Sequence, residues 1–328
     1  MILTNRKFLV TGGTGFIGSA LVKALLKGGA RVRSLDNDSR GARRRLREVA
    51  SEVELHVGDI RDAQAVSRAA AGVDCVCHLA YVNGTEYFYS KPDLVLDVAL
   101  RGMINVIDAC REHGIGDLVL ASSSEVYQSP PTIPTDETVS LSIPNVLNPR
   151  YSYGGGKIVC ELMAANFGRV GFDRVAIFRP HNVYGPDMGR EHVIPQFVLR
   201  MEGCCRETVE PVRFPIQGSG QETRAFVYID DLVDGVVRVI ERGEHLGIYH
   251  IGTDQEVTIE HLAKEVGRCF GREVEVVPGD LLPGSPPRRC PDIAKIRTLG
   301  YESRIPLRVG LQKTVDWYLN HLDPEHRG

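Results

Sequence analysis

Lys7-Phe8-Leu9-Val10-Thr11-Gly12-Gly13-Thr14-Gly15-Phe16-Ile17-Gly18 decides the fold. Phe8-Leu9-Val10 reads as the end of a buried strand, and a helical pattern runs from Ser19 to Lys27. Between them lies the spacing Gly12-x-x-Gly15-x-x-Gly18. Glycines suit these places because the chain turns tightly, a phosphate approaches the backbone, and the helix packs close to its strand. The helix N-terminus then offers free amide donors to a pyrophosphate. Asp36 ends the next apolar run, 18 residues beyond Gly18, where an acid receives ribose hydroxyls. The stretch predicts a dinucleotide site with Gly12, Gly15, Phe16, Ile17 and Gly18 at the turn and Asp36 at the ribose.

A carboxylate at Asp36 repels the 2′-phosphate of NADP and so favours NAD. Arg40, Arg43, Arg44 and Arg45 are the counter-argument, since one of them could fold back onto that phosphate; they are read as a solvated helix face. Asp59, followed by Ile60, comes after the third strand, where a side chain reaches the adenine edge. An Asp in Gly-Asp-x-x-Asp also serves as a plain helix cap.

Outward from this site, apolar runs at 7–11, 31–36, 53–57, 73–80, 118–122 and 174–179 alternate with helical patterns at 17–28, 40–50, 62–71, 91–113 and 152–170. Such alternation predicts an α/β fold, a doubly wound parallel sheet of the Rossmann type covered on both faces. After Arg179 proline and glycine clusters change the rhythm, and helices are expected near 193–202, 230–242, 258–270 and 308–321. The expected division is an NAD-binding Rossmann domain over 1–180 and a smaller mixed α/β domain over 181–328, with interleaved segments.

Composition narrows the class. The 328 residues, 43% hydrophobic and 25% charged, are those of a folded globular protein able to bury a large core. A net charge of -3 offers no polyanion footprint, so no nucleic-acid partner is expected. No apolar stretch approaches the roughly 18 residues of a membrane span. With no signal core before the first strand, a cytoplasmic protein is expected. Eight cysteines, without a Cys-x-x-Cys pair, read as reduced small hydrophobes, and no metal site is expected.

Tyr153 and Lys157 lie four residues apart and share one helix face. An ammonium beside a phenol favours the phenolate and makes Tyr153 a usable base. Tyr151 cannot do this, because Gly155 stands four residues on. Upstream, the strand end Leu120-Ala121-Ser122-Ser123-Ser124-Glu125-Val126-Tyr127 can bring a hydroxyl to the same reacting oxygen.

Together these residues resemble the extended short-chain dehydrogenase/reductases, specifically the NAD-dependent nucleotide-sugar epimerase/dehydratase family. The likeness runs from TGGTGFIG through HLA (His78, Leu79, Ala80), SSSEVY, YSYGGGK, RPHNVYGP and TRAFVYIDD to RRCPDI and GLQKTVDWYL. It implies bound NAD, with Leu79 beside the cofactor, a nucleotide-diphosphate sugar as substrate, and a homodimer through a four-helix bundle. It also implies that Tyr153 is the base, Lys157 its partner and ribose ligand, and Ser123 the hydroxyl that shares the proton. Asn182, Arg224 and Arg289 match residues that grip the diphosphate or sugar, and forked donors suit two phosphate charges.

Some residues depart from the family pattern. Gly154, Gly155 and Gly156 weaken a helix by about 1 kcal/mol each relative to Ala, so close backbone approach is expected there. Ala99 stands where the family often has an asparagine. Ser124, expected at the substrate, replaces the Asp of the dehydratase Asp-Glu pair, while Glu125 stays as in UDP-glucuronate decarboxylases. His192 falls where GDP-mannose 3,5-epimerases carry a catalytic lysine. It is expected to contact the nucleotide, with an acid/base pairing to Glu125 as the alternative. The leading expectation is 4-epimerisation of a UDP-hexose or UDP-uronic acid through a 4-keto intermediate. UDP-glucuronate decarboxylation comes next, then 4,6-dehydration and 3,5-epimerisation; a non-enzymatic NAD-binding protein is disfavoured by intact Ser123, Tyr153 and Lys157.

Overall fold

Continuous apolar runs mark strands covered on both faces. The computed structural model, which describes residues 3–205, 210–280 and 287–321, assembles them into one parallel sheet. In chain order the strands are β1 (Lys7–Thr11), β2 (Arg31–Asp36), β3 (Val53–Val57), β4 (Cys75–His78), β5 (Asp117–Ala121), β6 (Arg174–Pro180), β7 (Val183–Tyr184), β8 (Val212–Pro215), β9 (Thr223–Ala225), β10 (Val227–Tyr228), β11 (Gly247–Ile251), β12 (Glu256–Thr258), β13 (Val274–Val277) and β14 (Arg288–Arg289). The large sheet has seven strands in the order β11-β6-β5-β4-β1-β2-β3, all pairs parallel. The six expected strands are all present, β1 to β3 with the expected bounds. The seventh, β11, comes from beyond residue 180 and pairs with β6, Tyr249 opposite Phe178.

Helices α1 (Phe16–Lys27), α2 (Ala63–Ala70), α3 (Thr85–Ser90), α4 (Pro92–Glu112), α5 (Ser152–Gly168), α6 (Val193–Cys204), α7 (Ile229–Arg242), α8 (Ile259–Cys269), α9 (Ala294–Arg297) and α10 (Leu307–Asn320) complete the set. Alternation along the central strands divides the core. Phe8, Val10, Cys77, Val119 and Phe178 face α1 and α7 on one side. Leu9, Val76, Leu118, Leu120 and Ile177 face α2, α4 and α5 on the other. The expected helix over 40–50 is instead a 3-10 segment, Arg43–Val49, with only Leu46 buried. Three consecutive arginines give it no apolar stripe to lay on the sheet.

The downstream residues form small sheets, β13 with β8 and β12-β9-β14, flanked by α6, α8 and α10. All eight cysteines are free thiols. Among the described residues, no helix is long and apolar enough to cross a membrane.

Candidate active site

Parallel strands deliver their C-terminal ends to one edge, which is where ligands sit in such sheets. Here that edge opens as a cleft of about 360 Å³ lined by Gly12, Gly15, Phe16, Ile17, Gly18, Asp36, Asp59, Ile60, Leu79, Tyr153 and Lys157. Every residue expected at the cofactor is therefore brought to one cavity, joined by Tyr81, Ser122 and Pro180. The glycine turn has no room for side chains. A Cβ on Gly12 would stand 2.8 Å from the Ala80 backbone, and one on Gly18 would overlap the Gly12 carbonyl. Asp36 is fixed at the end of β2 by two backbone amides, Thr14 N at 3.0 Å and Asp38 N at 2.9 Å. These features fit a dinucleotide: a bare cradle ahead of α1, with a positioned carboxylate at its far end.

Asp59 is partly committed elsewhere. Its carboxylate accepts from Arg61 Nη2 at 2.8 Å and Asn37 Nδ2 at 3.0 Å, and these bonds, with Arg61 foremost, lower its pKa to about 2. The cap of α2 is Asp62, not Asp59.

The arginines after Asp36 correct the sequence reading. Arg43 and Arg44 remain half-exposed, but Arg45 is only 12% exposed, and all four have acidic partners. Arg43 pairs with Asp38, Arg44 and Arg45 with Asp187, and Arg40 with Glu191.

Tyr153 and Lys157 both point inward from the first turns of α5 and are buried. Tyr153 is enclosed by rings, with Phe88 stacked at 5.0 Å and Tyr81 edge-on at 5.1 Å. Burial pushes its phenol up to about 12, and a hydrogen bond with Ser123 opposes that rise. Lys157 Nζ donates to the Ala121 carbonyl at 2.7 Å and lies 3.9 Å from the centre of the Tyr81 ring. Burial lowers its pKa to about 8. Lys157 Nζ also lies 5.9 Å from the centre of the Tyr153 ring, so Ser123 and the ammonium both stand close to the phenol.

Gly154 and Gly156 answer to close approach, whereas Gly155 meets only the end of the Ile143 side chain at 3.3 Å. A Cβ on Gly154 would stand 2.8 Å from the Glu125 carbonyl, and one on Gly156 would overlap the Tyr81 hydroxyl. Ala99 packs where α4 meets α5, its carbonyl accepting from Cys160 Sγ at 3.5 Å.

Past Ser123 the chain makes a 3-10 turn, Ser124–Val126, capped by the Ser123 hydroxyl at 3.2 Å from Glu125 N. Ser124 is buried in it. Glu125 Oε1 accepts from Arg289 Nη1 at 2.7 Å. Burial alone would raise the Glu125 pKa, but Arg289 outweighs it, with Arg150 and Arg224 adding to the net lowering. Arg224 in turn is lowered to about 10 by burial and by the neighbouring charge of Arg289. Glu125, Arg289, Arg224 and Arg150 therefore form one charged group beside Tyr153, whose phenol feels the Glu125 charge. Asn182, at a positive φ of 39°, donates to the Ala225 carbonyl at 3.1 Å and so joins the loop after β6 to β9. His192 lines the cofactor cleft beside Gly189, and Glu191 and Arg40 are its charged neighbours. The structure does not bring it to Glu125, whose charged surroundings are arginines.

Sequence reading missed Arg150, Tyr81 and Phe88. Arg150 directly precedes Tyr151-Ser152-Tyr153, so its place beside the base was open to view; its Nε is buried without a partner. It also missed what lies behind the site. Glu161, one turn beyond Lys157, is buried against Arg179, with Nε at 2.9 Å and Nη2 at 2.6 Å, and it accepts from Ser122 Oγ. Arg179 also donates to Tyr127, whose hydroxyl meets His250 Nε2 at 2.6 Å. This network ties the ends of β5, β6 and β11 to α5, which fixes Ser123 relative to Tyr153.

Comparison with known proteins agrees with this geometry. Residues 8–252 match the model of the NAD dependent epimerase/dehydratase family. A dTDP-4-dehydro-6-deoxy-D-allose reductase from a Streptomyces species is 31% identical over 97% of both chains. UDP-glucuronic acid decarboxylase 1 of Arabidopsis thaliana is 30% identical over 98% of this chain and 72% of its own. Among solved structures, a double mutant of the dTDP-glucose 4,6-dehydratase DesIV of Streptomyces venezuelae with NAD bound is similar (TM-score 0.84, 30% identity, 96% of this chain and 97% of that one). UDP-glucose 4-epimerase of Thermus thermophilus with NAD is also similar (TM-score 0.83, 27% identity, 96% and 100%). The chain belongs to the NAD-dependent epimerase/dehydratase family and is an NAD-dependent enzyme of nucleotide-sugar metabolism.

Proposed function

We propose that the chain converts a UDP-linked uronic acid to a 4-keto sugar and then removes its carboxylate. The observation that carries this reading is the Arg289–Glu125 pair at 2.7 Å beside Tyr153. Arg289 is taken by Glu125, but Arg150 beside it has a buried Nε without a partner, and a further guanidinium at the reacting sugar suits a substrate with its own carboxylate.

NAD, when bound, supplies the hydride acceptor and later the hydride donor. Tyr153 takes the proton of the 4-hydroxyl, and Ser123 hydrogen-bonds the same oxygen as it becomes a ketone. The ketone at C4 lies β to the C6 carboxylate. When the C5–C6 bond breaks, its electron pair enters the C4–C5 enolate and carbon dioxide leaves. Ser123 and Tyr153 face the developing enolate oxygen. Glu125, held by Arg289, orders the proton donor that returns a proton to C5. Asn182, Arg224 and Arg150 are proposed to hold the diphosphate and sugar, and Ser124 shapes the floor beneath them. His192 is proposed to close on the nucleotide cofactor from its own lip of the cleft.

The second reading is 4-epimerisation, in which the 4-keto sugar turns over before hydride returns to its other face. Ser124 favours it over dehydration, since the acid of a dehydratase pair is missing there. The likeness to the Thermus thermophilus 4-epimerase also supports it. Arg150 beside the Glu125–Arg289 pair argues for the decarboxylase order, because a sugar held by its carboxylate is not free to turn. Purified protein incubated with NAD and UDP-glucuronate, UDP-glucose and their 4-epimers, read by mass spectrometry and NMR, separates them. Loss of carbon dioxide supports the first reading, unchanged mass with inverted C4 the second, and loss of water contradicts both.

A homodimer belongs to the same proposal. Leu96 and Ile104 on α4 and Leu162 and Phe167 on α5 are large exposed apolar side chains on adjacent helices, a surface that a second copy would cover. Light scattering at micromolar concentration tests it. A reducing cytoplasm suits the eight free thiols.

A further inference from the structure

We infer that Asp187 and Glu191 are specificity-determining residues of the cofactor site: by engaging Arg40 and Arg45 from the loop after β7, they deny the 2′-phosphate of NADP a cationic partner. The residues that follow Asp36 have the composition of an NADP-selective loop, with four arginines within six positions, 40 to 45. An arginine near the adenosine ribose is how such sheets accommodate a 2′-phosphate, through a forked, charge-assisted contact. Arg40 and Arg45 do line the cleft, together with Asp36 and Ser39.

Two acids of the loop after β7 change what these arginines can do, Asp187 from an adjoining cavity that Arg44 and Arg45 also line. Asp187 Oδ1 accepts from Arg44 Nη2 at 2.5 Å and Arg45 Nη2 at 3.1 Å, and its carbonyl accepts from Arg45 Nη2 at 2.8 Å. Arg45 Nη1 donates to the Thr14 carbonyl at 3.1 Å, while the Thr14 amide donates to Asp36. The Arg45 guanidinium and the Asp36 carboxylate therefore lie at the two ends of one residue. Arg40 Nη2 stands 3.5 Å from Glu191 Oε1, with its guanidinium 4.8 Å over the Tyr87 ring. Arg43 is taken by Asp38 on its own lip at 2.6 Å. Asp36, Asp38, Asp187 and Glu191 thus face four arginines with four carboxylates.

A 2′-phosphate entering this site would have to displace a carboxylate from an arginine already paired and also approach Asp36. The ribose hydroxyls of NAD require neither. On this account Asp36 is half of the selector, and the other half lies more than 140 residues away in sequence, at 187 and 191.

The test is equilibrium dialysis of the full chain against NAD and against NADP, for the parent, Asp36→Asn, Asp36→Asn with Asp187→Asn and Glu191→Gln, and that triple variant with Arg40→Ala and Arg45→Ala. Asp36→Asn alone is expected to shift the NADP-to-NAD preference by about 3-fold or less. The triple variant is expected to add about 10-fold toward NADP, the size of one charge-assisted contact. Removing Arg40 and Arg45 is expected to take most of that gain away. A full switch from Asp36→Asn alone would overturn the inference, as would a triple variant that changes both cofactors equally. Melting curves accompany each variant. If the triple variant does not fold, Asp36→Asn with Glu191→Gln, whose side chain is 38% exposed, carries the same test with a smaller expected gain.

Discussion

Arg289 Nη1 lies 2.7 Å from Glu125 Oε1, although 164 residues separate the two in the chain. The contact keeps Glu125 ionised, because burial pushes its carboxyl up and the arginine, helped by Arg150 and Arg224, brings it below the ordinary value. Glu125→Gln removes the charge but keeps the shape. It is expected to lower turnover by about 10² to 10⁴-fold, the usual range for a group that manages a proton, with a smaller change in KM. Rapid-quench product analysis should show 4-keto sugar accumulating. Turnover within a few-fold of the parent would remove Glu125 from the chemistry.

Lys157 sets the alkaline limit. Burial disfavours its charged form and lowers its pKa to about 8, so it is an ammonium below that pH and neutral above it. The profile of kcat/KM, which reports the free enzyme, should therefore fall as pH rises through about 8. Lys157→Arg stays charged throughout and should lose that limb whatever its absolute rate. A limb that persists unchanged in the arginine variant would belong to another group.

Glu161 and Arg179 form a buried pair, 5% and 2% exposed. Removing one partner leaves the other charge uncompensated, which typically costs about 3–5 kcal/mol. Glu161→Gln should show a loss of that order in denaturant titration, and Glu161→Gln with Arg179→Met should recover part of it. Equal losses in both variants would mean that packing, not charge, dominates the site.

How much of this was legible beforehand depends on the range of the interaction. The glycine turn, Asp36, the Tyr153 and Lys157 pair, and six sheet strands each rest on neighbours within one or two elements, so spacing pointed to them, whereas Ser123 was singled out by the family resemblance. β11 was missed because five residues beginning at Gly247 carry too weak a pattern once helices and turns dominate the surroundings. The arginines at 40 to 45 were misread because their partners, Asp187 and Glu191, come from a loop on the far side of the sheet edge. The same holds for Arg289: its residue type was noted, but the carboxylate it meets could be found only once β14 and the turn after β5 were brought together.

The glycines of α5 allow a local test in which two opposing terms compete. Replacing an internal helical glycine with alanine gains about 1 kcal/mol of propensity. At Gly154 a Cβ would stand 2.8 Å from the Glu125 carbonyl, and overpacking of this kind costs about 1–3 kcal/mol, so Gly154→Ala should be destabilising. At Gly155 the nearest atom would be Ile143 Cδ1 at 3.3 Å, a side chain able to yield, so Gly155→Ala should be neutral or stabilising. Thermal melts that rank the two in the other order would contradict the packing described for α5.

The account rests on the Tyr153 oxygen as the base that opens the reaction. It is tested most directly by mixing the NAD-loaded protein with its nucleotide sugar in a stopped-flow spectrometer and following reduced nicotinamide in the parent and in Tyr153→Phe. The parent should show reduced nicotinamide rising and falling within a turnover, and Tyr153→Phe should show none on that timescale while still binding the sugar. Reduced nicotinamide forming at the parental rate in Tyr153→Phe would contradict the account.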